Sequence, residues 1–309
     1  MSDIILRTII PILLLMGTGF LSRKLGILKS GDERILSAYV YYFALPALFF
    51  VNMTETNFTE GTLRFMLAGI TPILIALTIY TSLYLVFKFS KNILYLLILS
   101  TIFGSLAFFG IPFIAFAFPG TGEPVATLAA ASISIVSVTT SITTLELYRL
   151  QQSKILTGLK LVAQRLSKNP LILSIFFGIL LSLIKIEIPT PISQPLHMLG
   201  STTSTVAIFM LGVFLYGRKY TNISEALKLS MLRIVFLPIV AFLTTMLFDF
   251  STLERSALIL MHGMPVAISM IVLSERYSFY KETIASLILI SSLGAGLYLN
   301  LWLLLLGHY

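Results

Sequence analysis

Two Gly-X-Pro triplets and one histidine are the residues of this chain whose types and spacing are best suited to chemistry. Gly110–Pro112 and Gly263–Pro265 each interrupt an apolar run, in FFGIPFIAF (108–116) and LILMHGMPVAISM (258–270). A proline inside a helix loses a hydrogen bond and clashes with the preceding turn, which costs about 3 kcal/mol. In lipid the freed carbonyl meets no water. Both runs are therefore expected to be broken near these triplets, exposing helix ends and carbonyls that an ion or a charged substrate can use. Proline kinks kept for packing are the plain alternative. His262 precedes Pro265 by three residues. With an unperturbed pKa of about 6.5 it suits a proton carrier; equally, it can tie a backbone carbonyl freed by the break.

The elements that must position these groups follow from composition. The 309 residues are 57% hydrophobic and 11% charged, and the mean hydropathy is +0.97. A soluble domain is nearer a quarter charged, so this is an all-α polytopic membrane protein. Cysteine is absent, which removes disulfides, thiol catalysis and thiolate metal sites. The net charge of +8 reads as basic loops facing anionic lipid, not as a nucleic-acid surface. The first apolar stretch has no small-residue cleavage pattern before Ser22-Arg23-Lys24 and is kept as a span.

About 20 apolar residues cross the hydrocarbon core. Ten stretches qualify: 4–21, 35–53, 63–87, 93–118, 125–147, 171–186, 196–217, 231–250, 255–274 and 284–307. Loop 148–170 is basic and places Leu156, Leu159, Val162, Ala163 and Leu166 at helical spacing, so it reads as an amphipathic surface helix joining two halves. With both termini outside, all but four of the 21 basic residues face the cytoplasm, Arg233 being counted as a cytoplasmic flank. The chain then divides into residues 1–150, a connector at 151–170, and residues 171–309. Five spans per half make the halves inverted, and interrupted helices in matching positions of inverted halves point to a secondary transporter.

YYFALPALFF (41–50), LRFMLAG (63–69), LST (99–101), GIP (110–112), SKNPLIL (167–173) and ERY (275–277) together resemble the auxin efflux carrier family, in its short-loop prokaryotic form. The resemblance covers nearly the whole chain. It implies two inverted five-helix repeats, crossed broken helices at spans 4 and 9, a scaffold of spans 1, 2, 6 and 7, and a moving domain of spans 3–5 and 8–10. It also implies an Asn where this chain has Ser105, and a substrate-contacting Ser where it has Phe49. Both departures argue against auxin as the substrate.

The remaining candidates are weaker. Every acidic residue lies in a loop or near a span end; Glu146 and Glu275 read as partners for nearby bases such as Arg149 and Arg276. The hydroxyls of 132–144 and 201–205 read first as close-packing residues, with sodium ligation as the rival. Phe49, Phe50, Met53, Phe108 and Phe109 can line an apolar pocket. His197 and His308 lie at outer span ends. No His-Glu-x-x-His pair, no phosphate-binding glycine–lysine loop and no pair of intramembrane aspartates is present, so an enzyme or an ATP-driven pump is excluded.

The reading is a secondary carrier in the cytoplasmic membrane for a small, carboxylate-bearing organic anion. The substrate-binding candidates are Ser105, Gly110, Pro112, His262, Gly263, Pro265, Phe49 and Met53. Because no base falls at mid-membrane in this reading, helix dipoles would neutralise the anion. No cofactor, metal or nucleic acid is expected. The partners are the substrate, the lipid bilayer and, within what the composition allows, a second copy in a homodimer. Proton and sodium both remain open as coupling ions. A sodium-coupled symporter of the same architecture and a non-transporting sensor that keeps the fold are the alternatives.

Overall fold

The computed structural model of the protein describes residues 2–149, 155–217 and 220–308. Helix α1 (Ser2–Lys24) is followed by α2 (Asp32–Tyr39), which passes through a π-helical turn (Val40–Ala44) into α3 (Leu45–Glu55). Helix α4 (Glu60–Phe87) starts at a capping box between Thr59 and Thr62. Helix α5 (Lys91–Ile102) stops short; the chain resumes as a π-helical turn (Leu106–Gly110) leading into α6 (Ile111–Ala117). Then come α7 (Gly122–Arg149), α8 (Ile155–Leu166), α9 (Pro170–Leu183) and α10 (Thr190–Leu215). Helix α11 (Ile223–Met231) runs through a third π-helical turn (Leu232–Phe236) into α12 (Leu237–Thr245). The chain closes with α13 (Thr252–Gly263), α14 (Ser269–Tyr277) and α15 (Lys281–Leu305).

Among the described residues, seven helices are long and apolar enough to cross a membrane: α1, the α2–α3 rod, α4, α7, α10, the α11–α12 rod and α15. The stretches read as spans 4, 6 and 9 are shorter. Helix α9 has 14 residues, a rise of about 21 Å against a core of about 30 Å. Stretches 93–118 and 255–274 are each split in two. Outward-facing leucines such as Leu13, Leu67, Leu243, Leu297 and Leu301 give these helices the apolar exterior that lipid requires.

The first interruption does not fall where its proline stands. Pro112 lies at the start of α6, directly after a π-helical turn, and the actual gap is at Phe103–Ser105. Pro46 and Pro238 repeat the arrangement, each in the first turn of the α-helix that follows a π-helical turn. The physical reason is that a wider i→i+5 turn accommodates the proline ring and its missing N–H without ending the helix. At Pro238 the carbonyl deprived of a donor is that of Ile234, and the Trp302 indole N–H supplies one at 2.9 Å.

The helices pack as two groups. Helix α1 lies along α10, and α3 lies between α9 and α10. The other group joins α4, α5, α6, α7 and α11 to α15, with α7 against α4, α6 and α13, and α12 against α4 and α13. Between the groups the principal contacts are α10 with the Leu106–Gly110 turn, α1 with α6, and α3 with α7.

Candidate functional site

The two gaps meet. Gly104 and Val266 form an isolated antiparallel bridge. The Ser105 N–H donates to the Pro265 carbonyl at 2.7 Å, and the Ala267 N–H donates to the Phe103 carbonyl at 2.9 Å. Each interrupted helix thus supplies a donor and an acceptor that the other lost, which a dry environment demands. The Val266 N–H is taken by Ser291 Oγ at 3.2 Å. Four half-helices therefore converge on one point: α5 and α13 by their C-terminal ends, and the Leu106 segment and α14 by their N-terminal ends.

A buried arginine stands at that point. Arg233 has no exposed surface. Its Nη1 donates to the carbonyls of Thr101 (2.7 Å) and Ile102 (3.2 Å), Nε to that of Met264 (2.8 Å), and Nη2 to that of Met261 (3.2 Å). One guanidinium thus covers the C-terminal ends of both α5 and α13, where helix dipoles concentrate negative charge. No carboxylate among the described residues pairs with it. Gly104 makes the approach feasible, because a Cβ there would lie 1.6 Å from Nη2. The sequence reading counted Arg233 as a cytoplasmic flank; in the structure its side chain is fully buried instead. The rod that carries it begins at Ile223, ten residues earlier, and ten residues of helix are about 15 Å, half the hydrocarbon core. The available signal was an arginine embedded in MLRIVFLP (231–238), since such residues are rare in spans and by default functional.

The candidates from sequence fall in different places. Ser105 is at the crossing, 5% exposed, and its Oγ has no hydrogen-bond partner. Pro265 is in the second gap, and Gly263 ends α13. Gly110 is one turn past the first gap and lets Met261 and Met264 approach, because a Cβ there would meet Met261 Sδ at 2.6 Å. Pro112 is further along, inside continuous helix. His262 is fully buried, with Nε2 2.9 Å from the Gly69 carbonyl of α4 and Nδ1 unpartnered. The imidazole is thus a tie between α13 and α4.

Phe49 and Met53 do not reach the crossing. Both are fully buried and share one face of α3, and Met53 packs on Gly178 of α9. The neighbouring face, with Leu48 and Asn52, lines a cavity of about 580 Å³ shared with Phe116, Glu123, His197 and Ser201. This cavity opens between the two helix groups, and His197 in its wall pairs with Glu55 at 2.7 Å. Helical periodicity could not say which face of α3 looks into it.

Of the hydroxyls of 132–144, Ser132, Ser137, Thr139 and Thr143 bond carbonyls of their own helix one turn back, in keeping with packing, while the buried Ser141 Oγ has no hydrogen-bond partner. Glu146 is fully buried and pairs with Arg165 of α8 at 2.8 Å, where Arg149 had been expected, and it also accepts from the Tyr277 hydroxyl at the end of α14. The basic connector is helical at Ile155–Leu166; residues 150–154 and the side chains of Leu156, Leu159, Glu275 and Arg276 lie outside the described residues.

Interrupted helices that cross around a buried cation inside an apolar helical body define a membrane transporter. The family model described as Membrane transport protein matches residues 4–303, and the chain belongs to this family, that of the auxin efflux carriers. It is 25% identical over 305 residues to "Uncharacterized transporter YfdV" of Escherichia coli (strain K12), covering 96% of this chain and 95% of that one. It is 28% identical over 302 residues to "Uncharacterized transporter MJ1031" of Methanocaldococcus jannaschii, covering 95% and 96%. A shorter match, 25% identical over 134 residues and 43% of this chain, is to the "Putative malonate transporter" of Rhizobium meliloti, 42% of which is covered. The protein is a multi-pass membrane transporter and not an enzyme.

Proposed function

We propose that the chain is a secondary carrier for small organic carboxylates in the cytoplasmic membrane, working by alternating access. The observation that carries this reading is the imbalance of charge at the crossing. The two C-terminal helix ends are covered by Arg233, while the two N-terminal ends begin with N–H groups that have no intrahelical acceptor and carry partial positive charge. Ser105 stands at the N-cap position of one of them and caps nothing. A carboxylate fits a cation, two helix N-termini and an uncommitted hydroxyl. The cavity beside Asn52 and Ser201 is then the outer approach to the site. The group containing α4 to α7 and α11 to α15 moves against the α1, α3, α9 and α10 scaffold along the α10 contact.

In this reading the two gapped stretches and α9 complete ten spans, arranged as two inverted five-helix repeats with both termini outside. Taking Arg233 out of the cytoplasmic count leaves the excess of basic residues on that side large. Single cysteines at Ser2 and Ser153 in the cysteine-free chain should react with an impermeant maleimide from opposite sides of the membrane; reaction from one side overturns the topology. The transport reading is tested by counterflow in proteoliposomes. Labelled malonate, a dicarboxylate chosen for the name of the Rhizobium relative, and a panel of mono- and dicarboxylates are offered to vesicles preloaded with unlabelled acid. Accumulation driven by exchange is the expected result. Saturable binding without counterflow for any acid sinks the carrier reading and leaves a sensor.

A further inference from the structure

Half-helix C-termini and unwound carbonyls at mid-membrane are the groups with which interrupted-helix carriers coordinate sodium. This chain has such a cluster: the carbonyls of Thr101, Ile102, Met261 and Met264 converge from two helix ends. All four point at one guanidinium. Guanidinium is not deprotonated in proteins and presents fixed, planar donors. Two nearby hydroxyls are engaged elsewhere: Thr101 Oγ1 with the Tyr80 hydroxyl at 2.8 Å, and Ser291 Oγ with the Val266 N–H and the Leu287 carbonyl; the Ser105 hydroxyl stays uncommitted. Gly104 is shaped to the arginine, since any side chain there would displace Nη2.

We propose that Arg233 is a built-in replacement for a coupling cation: its guanidinium fills the carbonyl site between the ends of α5 and α13, so the crossing keeps its positive charge permanently and works without sodium. The inference rests on the carrier reading for its link to transport, but the cation site is testable alone. It follows that the charge of the site does not cycle with ion binding and release. Any coupling to an ion gradient runs through groups other than this carbonyl cluster.

The test measures the Tm of purified protein in the absence of organic acid, in sodium chloride and in choline chloride at equal ionic strength. The wild-type Tm should be the same in both salts. Arg233→Gly empties the carbonyl site and should lower Tm by several degrees, with saturable recovery on adding millimolar guanidinium chloride, a concentration that leaves the wild type unchanged. Recovery with sodium would equally mark the emptied cluster as a cation site. Failure of both cations to restore the variant overturns the proposal. A saturable rise in wild-type Tm with sodium overturns it as well, and this measurement decides the matter if the variant does not fold. None of these outcomes depends on a transported acid, so a failed counterflow experiment and a failed cation site are told apart.

Discussion

Glycine brings helices together in two regions of the molecule, with opposite consequences. Where α1 meets α10, a Cβ on Gly212 would lie 1.9 Å from the Met16 carbonyl oxygen, and one on Gly19 would lie 2.0 Å from that of Phe209. Backbone meets backbone, as in small-residue packing of membrane helices. At the crossing, the space above Gly104 is filled by a charged group that gathers four carbonyls. The first contact is steric and has one solution. The second is polar, and its partners can be redistributed when the helices shift. A scaffold suits the former and a moving site the latter.

The same substitution made in both regions separates these roles. Gly104→Ala should have the largest effect, because its methyl must expel the guanidinium and leave buried carbonyls without donors. Each such group costs about 1–3 kcal/mol. A large fall in Tm together with loss of carboxylate binding is expected; wild-type binding in a folded Gly104→Ala protein contradicts the assigned geometry. Gly212→Ala should cost about 1–3 kcal/mol through overpacking, read as a lower Tm with an unchanged substrate Kd in the protein that remains folded. A change in Kd would mean that the scaffold contact is not independent of the site.

His262 sharpens the comparison within the group proposed to move. As a tie to Gly69, its replacement by Gln preserves a donor and should leave the pH profile of uptake unaltered, while His262→Ala should lose about 1 kcal/mol. Abolition of proton-driven uptake in the Gln variant, with exchange intact, would instead make the imidazole the proton carrier. The smallest effect on stability is expected for Ser105→Ala. Its Oγ has no partner to lose, so Tm should hold within about 0.5 kcal/mol of equivalent stability. Carboxylate affinity should fall severalfold, and unchanged affinity would remove Ser105 from the site.

The parts of this architecture legible in the sequence are those written as local patterns. Apolar runs, basic loops and the interruption after Gly263 follow from composition and from proline chemistry. The first gap was misplaced by several residues because Pro112 looks like a breaker, whereas a π-helical turn absorbs it and the true gap at Phe103–Ser105 has no proline. Arg233 was misread because a span edge drawn at 231 turned a buried cation into a flank whose long side chain could reach water. Which carbonyls it would find depended on contacts between residues 101–102, 233 and 261–264, a relation that no periodicity encodes. Phe49 and Met53 show the same limit, since apolar residues on adjacent faces of one helix look alike until a neighbour is placed.

Trp302 is the single tryptophan of the chain. Its indole N–H rests on the Ile234 carbonyl, the residue next to Arg233. The protein thus contains its own fluorophore, hydrogen-bonded to the turn that holds the central cation. With red-edge excitation that bypasses the tyrosines, its emission reports on one turn of one rod. A shift in emission maximum or lifetime on adding a carboxylate would time the rearrangement of the crossing in the unlabelled wild-type chain.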